Sequence, residues 1–362
     1  MIKTKVSALS IILLLTLPIA LTDQTKEPTV LPSEWKNQLT PNDEGAHYPR
    51  ILSMREWWYF NIIFDHPESS LHNWSAMISF NHMSKTFNEP DILFITLYDT
   101  KNKTYGGMIT GKSGTLKAEK QTLNLTYQTS WATGTYPKWV LHVEDNKADT
   151  DNRIIMDLTF TTTCKPYWVG TNTGLGNPNS LLGYYSINHC IVTGTVQLNN
   201  TTHSIKGTGY YDHFWLPFTI CGAGFFWDWF SVHFDNNLHG FIWHIIPATT
   251  KKPHPRRPGF CWITDGISFT DFHFFMIEYL SYENTSFPGI KRPKEFLLNS
   301  ISSNTKLNLL FKTENMHEYS WQQSTEVYLW EGSCSVQGTI ELNNQKTTLN
   351  GSAISEILRF IK

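Results

Sequence analysis

The chain repeats itself, and that repetition limits its fold more than any other feature. Residues 192–212, VTGTVQLNNTTHSIKGTGYYD, align without a gap on residues 336–356, VQGTIELNNQKTTLNGSAISE, at an offset of 144. Val192, Gly194, Thr195, Leu198, Asn199, Asn200 and Gly207 meet Val336, Gly338, Thr339, Leu342, Asn343, Asn344 and Gly351, while Asp212 meets Glu356. Extended backwards, the same alignment puts Cys190 on Cys334 and Tyr184 on Tyr328. Nearer the start of each unit, EWWYFNIIFD (56–65) lies over FWDWFSVHFD (226–235) at an offset of 170. The segments keep their order while the offset falls from 170 to 144, a loss of 26 residues. The reading is a duplicated unit with a shorter second copy. A length of 362 residues also suits two cores rather than one. The expected bounds are 45–216 and 222–362.

The elements within each copy read as strands. In RIIMDLTFT, Ile154, Met156, Leu158 and Phe160 alternate with Ile155, Asp157 and Thr159, and Trp139, Leu141 and Val143 do the same in KWVLHVE. QLNNTTHS and ELNNQKTT supply polar turns between apolar runs, so each repeat is expected to be a hairpin. No long amphipathic helix stands out. Short antiparallel strands in units of this size predict an all-β fold of two barrels, since closing a sheet removes its exposed edges. Loops are expected at 165–183, rich in Gly and Asn, and at the basic, Pro-rich 247–259.

Residues 1–24 are set apart from this fold. Lys3 and Lys5 precede the apolar run VSALSIILLLTLPIAL, which has the layout of a secretory signal and is short for a bilayer-spanning helix. A secreted or extracytoplasmic protein is expected, with an uncleaved anchor at a membrane surface as the alternative. Seven Asn-x-Ser/Thr sequons, beginning at Asn73, Asn102, Asn124, Asn199, Asn200, Asn284 and Asn350, agree with export, and a glycoprotein would follow. With 29 basic against 31 acidic residues and no long basic run, nucleic acid is excluded as a partner. Five cysteines at 164, 190, 221, 261 and 334 form no CxxC pattern; one pair could bridge, and the odd count leaves at least one thiol over.

The residues assembled so far resemble a known family. REWWYF (55–60), YYS (184–186), GTGYYDHFW (207–215), YLWEG (328–332) and GSAISEI (351–357) are similar, in order, to motifs of the AttH and carotenoid 1,2-hydratase (hydroxyneurosporene synthase) group of two-domain lipocalin-like proteins. The resemblance implies two calycin-type barrels packed together. It also implies handling of an isoprenoid or other lipid-like molecule, since the group includes hydratases of isoprenoid double bonds and fungal proteins of Diels-Alder cyclisation. In the hydratase branch the Asp of the third motif and the Tyr two residues before it carry the chemistry. These fall on Asp212 and Tyr210. That branch also uses a His-x-Trp element upstream, where this chain has LLGYYS, so Tyr184 and Tyr185 are the candidates for the same space.

Adding water to an unactivated alkene requires an acid that stays protonated near neutral pH, and aromatic faces to stabilise the cation that follows. Asp212, among Tyr210, Tyr211 and Trp215, has those ingredients, with His213 as a possible orienting partner. The alternative is structural. In a strand Tyr210, Asp212 and Phe214 face one way and Tyr211, His213 and Trp215 the other, so Asp212 and His213 need not touch, and Asp212 could bind backbone amides where the barrels join. The matched Glu356 favours that view, because duplicated acids seldom both catalyse. Glu56 beside Trp57 is a second candidate, although an aromatic strand opening a barrel is expected to be core. No HExxH, GxSxG or P-loop pattern occurs, and no metal or cofactor is predicted. Three readings remain. An enzyme would have a pocket of roughly a few hundred Å³ or more reaching Asp212. A binding protein would have an apolar pocket lined by neither Asp212 nor another perturbed acid. A structural protein would have filled barrels.

Overall fold

The computed structural model describes residues 38–361, apart from 51, 86–87, 102, 146–152, 170–180, 217–224, 248–258, 273, 302–304 and 323–325. The segment 1–24, Cys221 and most of the two expected loops lie outside the described residues. Among the described residues no helix is long and apolar enough to cross a membrane.

Two antiparallel sheets account for nearly everything. The first contains β1 (Arg55–Ile63), β2 (Ser75–His82), β3 (Ile92–Tyr98), β4 (Thr104–Thr110), β5 (Leu116–Ala118), β6 (Leu123–Tyr127), β7 (Ser130–Thr135), β8 (Lys138–Asp145), β9 (Ile154–Thr161), β10 (Tyr167–Trp168), β11 (Gly183–Leu198) and β12 (Thr201–Leu216). The second contains β13 (Phe225–Phe234), β14 (His239–Pro247), β15 (Gly259–Thr264), β16 (Phe269–Asp271), β17 (Phe275–Asn284), β18 (Lys291–Ile301), β19 (Thr305–Gln322), β20 (Glu326–Leu342) and β21 (Gln345–Ile361). A short helix, α1 (Pro41–Glu44), precedes them.

The strand orders are β4-β3-β2-β1-β12-β11-β9-β8-β7-β6-β5, with β10 beside β11, and β16-β15-β14-β13-β21-β20-β19-β18-β17. Laid side by side they coincide, except that β5, β6 and β10 have no counterpart in the second sheet. The duplication extends to register. Tyr59 pairs with Asp212 in the first sheet and Trp229 with Glu356 in the second, at the offsets of 170 and 144 found in the sequence. The hairpin turns match as well: Asn199 and Asn200 have φ of 48° and 69°, Asn343 and Asn344 50° and 64°. Two successive left-handed residues make the turn whose twist suits a hairpin, and Asn tolerates that conformation.

Each sheet curls into a half-barrel whose two ends are not joined by a ladder among the described residues, so closure is less complete than a continuous barrel would give. In the first sheet Asp91 bridges the ends: its Oδ2 accepts from Gly114 N and Leu116 N at 2.8 and 2.9 Å, and its backbone carbonyl accepts from Tyr127 Oη at 3.1 Å.

Both hollows are filled by side chains. The alternation read in β8 and β9 buries Trp139, Leu141, Val143, Ile154, Met156, Leu158 and Phe160 inside the first half-barrel. Phe230, Phe296, Phe311 and Trp330 fill the second. A third apolar cluster lies between the sheets and includes Tyr59, Tyr184, Tyr210, Phe214, Trp229, Phe241 and Trp262. This explains why REWWYF and GYYDHFW are so rich in aromatic residues. The central strands β1 and β12 are buried on both faces, one on the barrel interior and one on the other sheet.

Cys164, Cys190, Cys261 and Cys334 are buried free thiols, so no disulfide forms among the described residues. They pack as small apolar side chains.

Candidate active site between the two sheets

Alternation in β12 puts Asp212 on the intersheet face and His213 inside the first barrel, so the adjacent acid and imidazole do not form a pair. They belong to two separate polar groups.

The inward group anchors the segment before β1. Glu56 and His213 face each other inside the barrel, with His213 Nε2 2.7 Å from Glu56 Oε1. Glu56 also accepts from His47 Nδ1 at 3.0 Å, and from the backbone N–H groups of His47 and Tyr48 at 2.8 and 2.6 Å. Burial by itself would raise this carboxyl group, but hydrogen bonds from His213 and His47 outweigh it and bring it down to about 2. His213 Nδ1 lies 3.0 Å from the carbonyl oxygen of Asp43. Burial lowers the His213 imidazole below its usual value although Glu56 pulls the other way, and its two ring nitrogens each face an acceptor, the Asp43 carbonyl and the Glu56 carboxylate. The ligand-type atoms of His47, Glu56 and His213 lie within 4.8 Å of one another, a spacing that a metal could use. Glu56 already has a donor for each of its lone-pair positions, however, so the cluster suits an anchor better than a metal centre. Tyr185 and Trp215 share this inward face: Tyr185 Oη is 3.0 Å from Tyr211 Oη, and Trp215 stacks on His47 at 3.7 Å.

The intersheet group is different. Asp212 Oδ2 accepts from Tyr184 Oη and from Tyr210 Oη, both at 2.9 Å, and Tyr184 Oη accepts from Trp229 Nε1 at 3.1 Å. Asp212 is 2% exposed, yet its Oδ1 has no hydrogen-bond partner. Burial pushes its carboxyl group well above the usual range, against the two phenols and with help from Glu356. Oδ2 is occupied by two donors, so the proton of the neutral acid sits on Oδ1.

Asp212 lines a cavity with Trp57, Tyr59, Tyr184, Trp227, Trp229, Trp243 and Glu356. Its volume is about 30 Å³, room for a water molecule and far below the few hundred expected for a ready-made ligand pocket. Trp57, Trp227 and Trp243 are only partly buried, so the wall that would have to part for a larger ligand is the one nearest solvent. A wider surface groove of about 340 Å³ at Asn42, Ala46, Pro49, Arg50, Lys120 and Gln121 holds no buried acid and none of this chemistry.

Glu356 enters the site from the second sheet, where Trp227 Nε1 donates to its Oε1. Burial of its carboxyl raises it to about 7. The two matched acids thus face one shared cavity, an arrangement that the repeat alone did not indicate. Glu331, which sequence reasoning missed, lies directly across the β20–β21 ladder from Glu356 and accepts from Tyr59 Oη of the first sheet. Burial and the neighbouring Glu356 push it well up.

The ungapped match of Tyr184 to Tyr328 is also corrected. A bulge between Ile187 and Cys190 adds one residue to β11, so Ser186, opposite Asp212, corresponds to Glu331, opposite Glu356. Tyr184 consequently faces the intersheet site while Tyr328 lies in the second barrel's core. Of the residues singled out in the sequence, Asp212, Tyr210, Tyr184 and Trp57 come together here, whereas Glu56, His213, Tyr185 and Trp215 do not.

Similar folds are known. An AttH protein from Nitrosomonas europaea superposes with a TM-score of 0.67 at 14% identity, covering 92% of this chain and 100% of that one. Kievitone hydratase from Nectria haematococca gives 0.60 at 14%, covering 92% and 94%. CghA gives 0.57 at 12%, covering 93% and 96%. At such identities the likeness concerns the fold: two lipocalin-like halves. No curated protein matches the sequence. The AttH-like family model matches residues 32–353, nearly the whole described structure, and the chain belongs to the AttH-like family.

Proposed function

We propose that this protein acts on an apolar, unsaturated molecule, isoprenoid or otherwise lipid-like, between its two sheets, by acid-initiated hydration or cyclisation. One observation carries the reading: Asp212, buried and held at Oδ2 by two phenols, lines an aromatic cavity and keeps an Oδ1 with no hydrogen-bond partner. A neutral carboxylic acid placed in this way can protonate an alkene carbon. The ring faces of Trp57, Trp227, Trp229 and Trp243 can stabilise the tertiary cation that results. Tyr184 and Tyr210 fix the rotamer of the acid and bear the charge left after proton transfer. The ligand enters by displacing the partly buried tryptophans. The fold shared with a hydratase supports the reading but supplies no residue roles. Storage inside a barrel, as a passive carrier would need, is not favoured, since both hollows are packed. We further read residues 1–24 as an export signal, which N-terminal sequencing of the mature protein would test.

The test is to incubate the protein with a lipid extract in oxygen-18 water and follow ligand and product by native mass spectrometry, comparing wild type with Asp212→Asn. Product from the wild type alone is expected, carrying oxygen-18 after hydration and none after a cyclisation closed by proton loss. Ligand bound and left unchanged by both would overturn catalysis in favour of a binding protein.

A further inference from the structure

The acid described above needs a partner. Protonating an alkene makes a cation, and adding water to that cation releases a second proton that some group must accept. Asp212 is poorly placed to accept it while the product still lies against it.

Three observations point to the opposite wall. First, Asp212 and Glu356 occupy matched positions, opposite Tyr59 and Trp229 of the neighbouring strands, and both line the one cavity. At about 30 Å³ that cavity is the size of the reacting water. Second, the two acids are held differently. Asp212 is sealed in and bonded by two phenols, while Glu356 is partly exposed, and Trp227 is its one hydrogen-bond donor among the described residues, at Oε1. Third, Glu331 stands directly across the ladder from Glu356, is 1% exposed and accepts from Tyr59. Two carboxyl groups so placed do not both ionise readily. The more deeply buried Glu331 keeps its proton, and the charge falls to Glu356.

Building on the acid role of Asp212, we propose that Glu356 is the general base of the same site, with Glu331 as the residue that positions it and holds it to one charge. The step balances. The alkene π pair takes the proton of Asp212, forming C–H as the acid O–H breaks. Water oxygen then bonds to the cationic carbon as one of its protons passes to the Glu356 carboxylate. Asp212 is left ionised and Glu356 neutral, and return of one proton from Glu356 to Asp212 restores the site with no net gain or loss. The water-sized cavity beside Glu356 favours water addition over cyclisation. With Glu356 at about 7, roughly half of the site holds the required charge at neutral pH.

The test uses two acyclic isoprenoid alkenes, citronellol and squalene, in oxygen-18 water with the full chain. Wild type is expected to form labelled tertiary alcohol with a bell-shaped pH profile whose acid limb lies near 7. Glu356→Gln should lower kcat about 100-fold or more and abolish that limb, and Glu356→Asp should recover part of the rate. Infrared titration gives a readout independent of turnover. A neutral carboxyl band lost in Glu331→Gln identifies Glu331, and in Glu356→Gln that band should titrate at lower pH once the opposing charge is gone. Product from wild type and Glu356→Gln alike, with the same pH profile, would overturn the base while leaving the acid standing. No product from wild type, or product from Asp212→Asn, would overturn the acid role on which the base depends. An unmoved Glu331 band in Glu356→Gln would overturn the pairing of the two glutamates even if Glu356→Gln is poorly folded for catalysis.

Discussion

Asp212 and Glu356 are the same residue position in two copies of one unit, yet their side chains meet at a single cavity. Each lies opposite an aromatic residue of the adjoining strand, Tyr59 for one and Trp229 for the other. Packing the halves face to face turns two surface positions into two walls of one site.

The phenols on Asp212 should be unequal in stability. Tyr184→Phe removes a donor to Asp212 and also the acceptor for Trp229 Nε1, leaving a buried N–H unpaired, which costs about 1–3 kcal/mol. Tyr210→Phe removes only the donor and should cost about 1 kcal/mol. Either change raises the Asp212 carboxyl further, because each phenol favours the ionised form. Urea unfolding gives the first comparison and infrared titration of the carboxyl band the second.

Breaking the inward cluster around Glu56 should be costly. Glu56→Gln takes away the carboxylate that accepts from His213, His47 and two backbone N–H groups inside the barrel, and each buried donor left unpaired costs about 1–3 kcal/mol. Amide exchange at His47 and Tyr48 should accelerate, since Glu56 accepts from both of their backbone N–H groups. Glu56 is lower in the folded state, at about 2, so its contribution is full above the ordinary carboxylate value and disappears as pH falls towards 2. Glu56→Gln should therefore flatten the acid side of the stability curve, and a variant as acid-sensitive as wild type would contradict the assignment.

Two sets of buried groups should oppose each other in the stability–pH curve. Asp212, Glu331 and Glu356 are raised, so the folded state binds protons that the unfolded chain has released, and stability declines as pH rises from the ordinary carboxylate range through about 7 and beyond. His233 and His239, 3.1 Å apart at Nδ1, are lowered by burial, His239 to about 3, so their contribution is lost as pH falls from about 6.5. Thermal melts from pH 4.5 to 8 should show Glu331→Gln less destabilised than wild type at the alkaline end and His239→Asn less destabilised at the acid end.

Gly207 and Gly351 offer a test of the duplication. A Cβ on Gly207 would lie 2.2 Å from the carbonyl oxygen of Ile63, and one on Gly351 2.1 Å from that of His233. Since both contacts are with backbone, Ala at either site should cost about 1–3 kcal/mol, by similar amounts. Denaturant midpoints of the two single variants would show it, and a large inequality would mean that the matched strands are not packed alike.

Much of this was legible in the residues. The two offsets anticipated the shared strand order and the missing strands of the shorter copy, because register in a hairpin is fixed by its turn and its inward face. Asp212 was legible for the same reason, as period-two alternation separates it from His213 without any structure. Glu331 was not. Its role depends on which residue of β21 lies across from it, and YLWEG carries no sign of that. The sharing of one cavity was hidden too, since a repeat says what is duplicated and not how the copies face each other. A strand buried on both sides also loses the polar–apolar contrast that tells inside from outside.

The extra residue between Ile187 and Cys190 has a consequence for the direction in which a ligand can lie. Two identical halves facing each other would build a pocket with a two-fold axis, indifferent to which end of a molecule entered first. Inserting one residue into β11 alone sets Ser186 and Tyr184 on the Asp212 side where the other half presents Glu331 and Leu329. The pocket thereby acquires a head and a tail, and an unsymmetrical molecule has one way to sit in it.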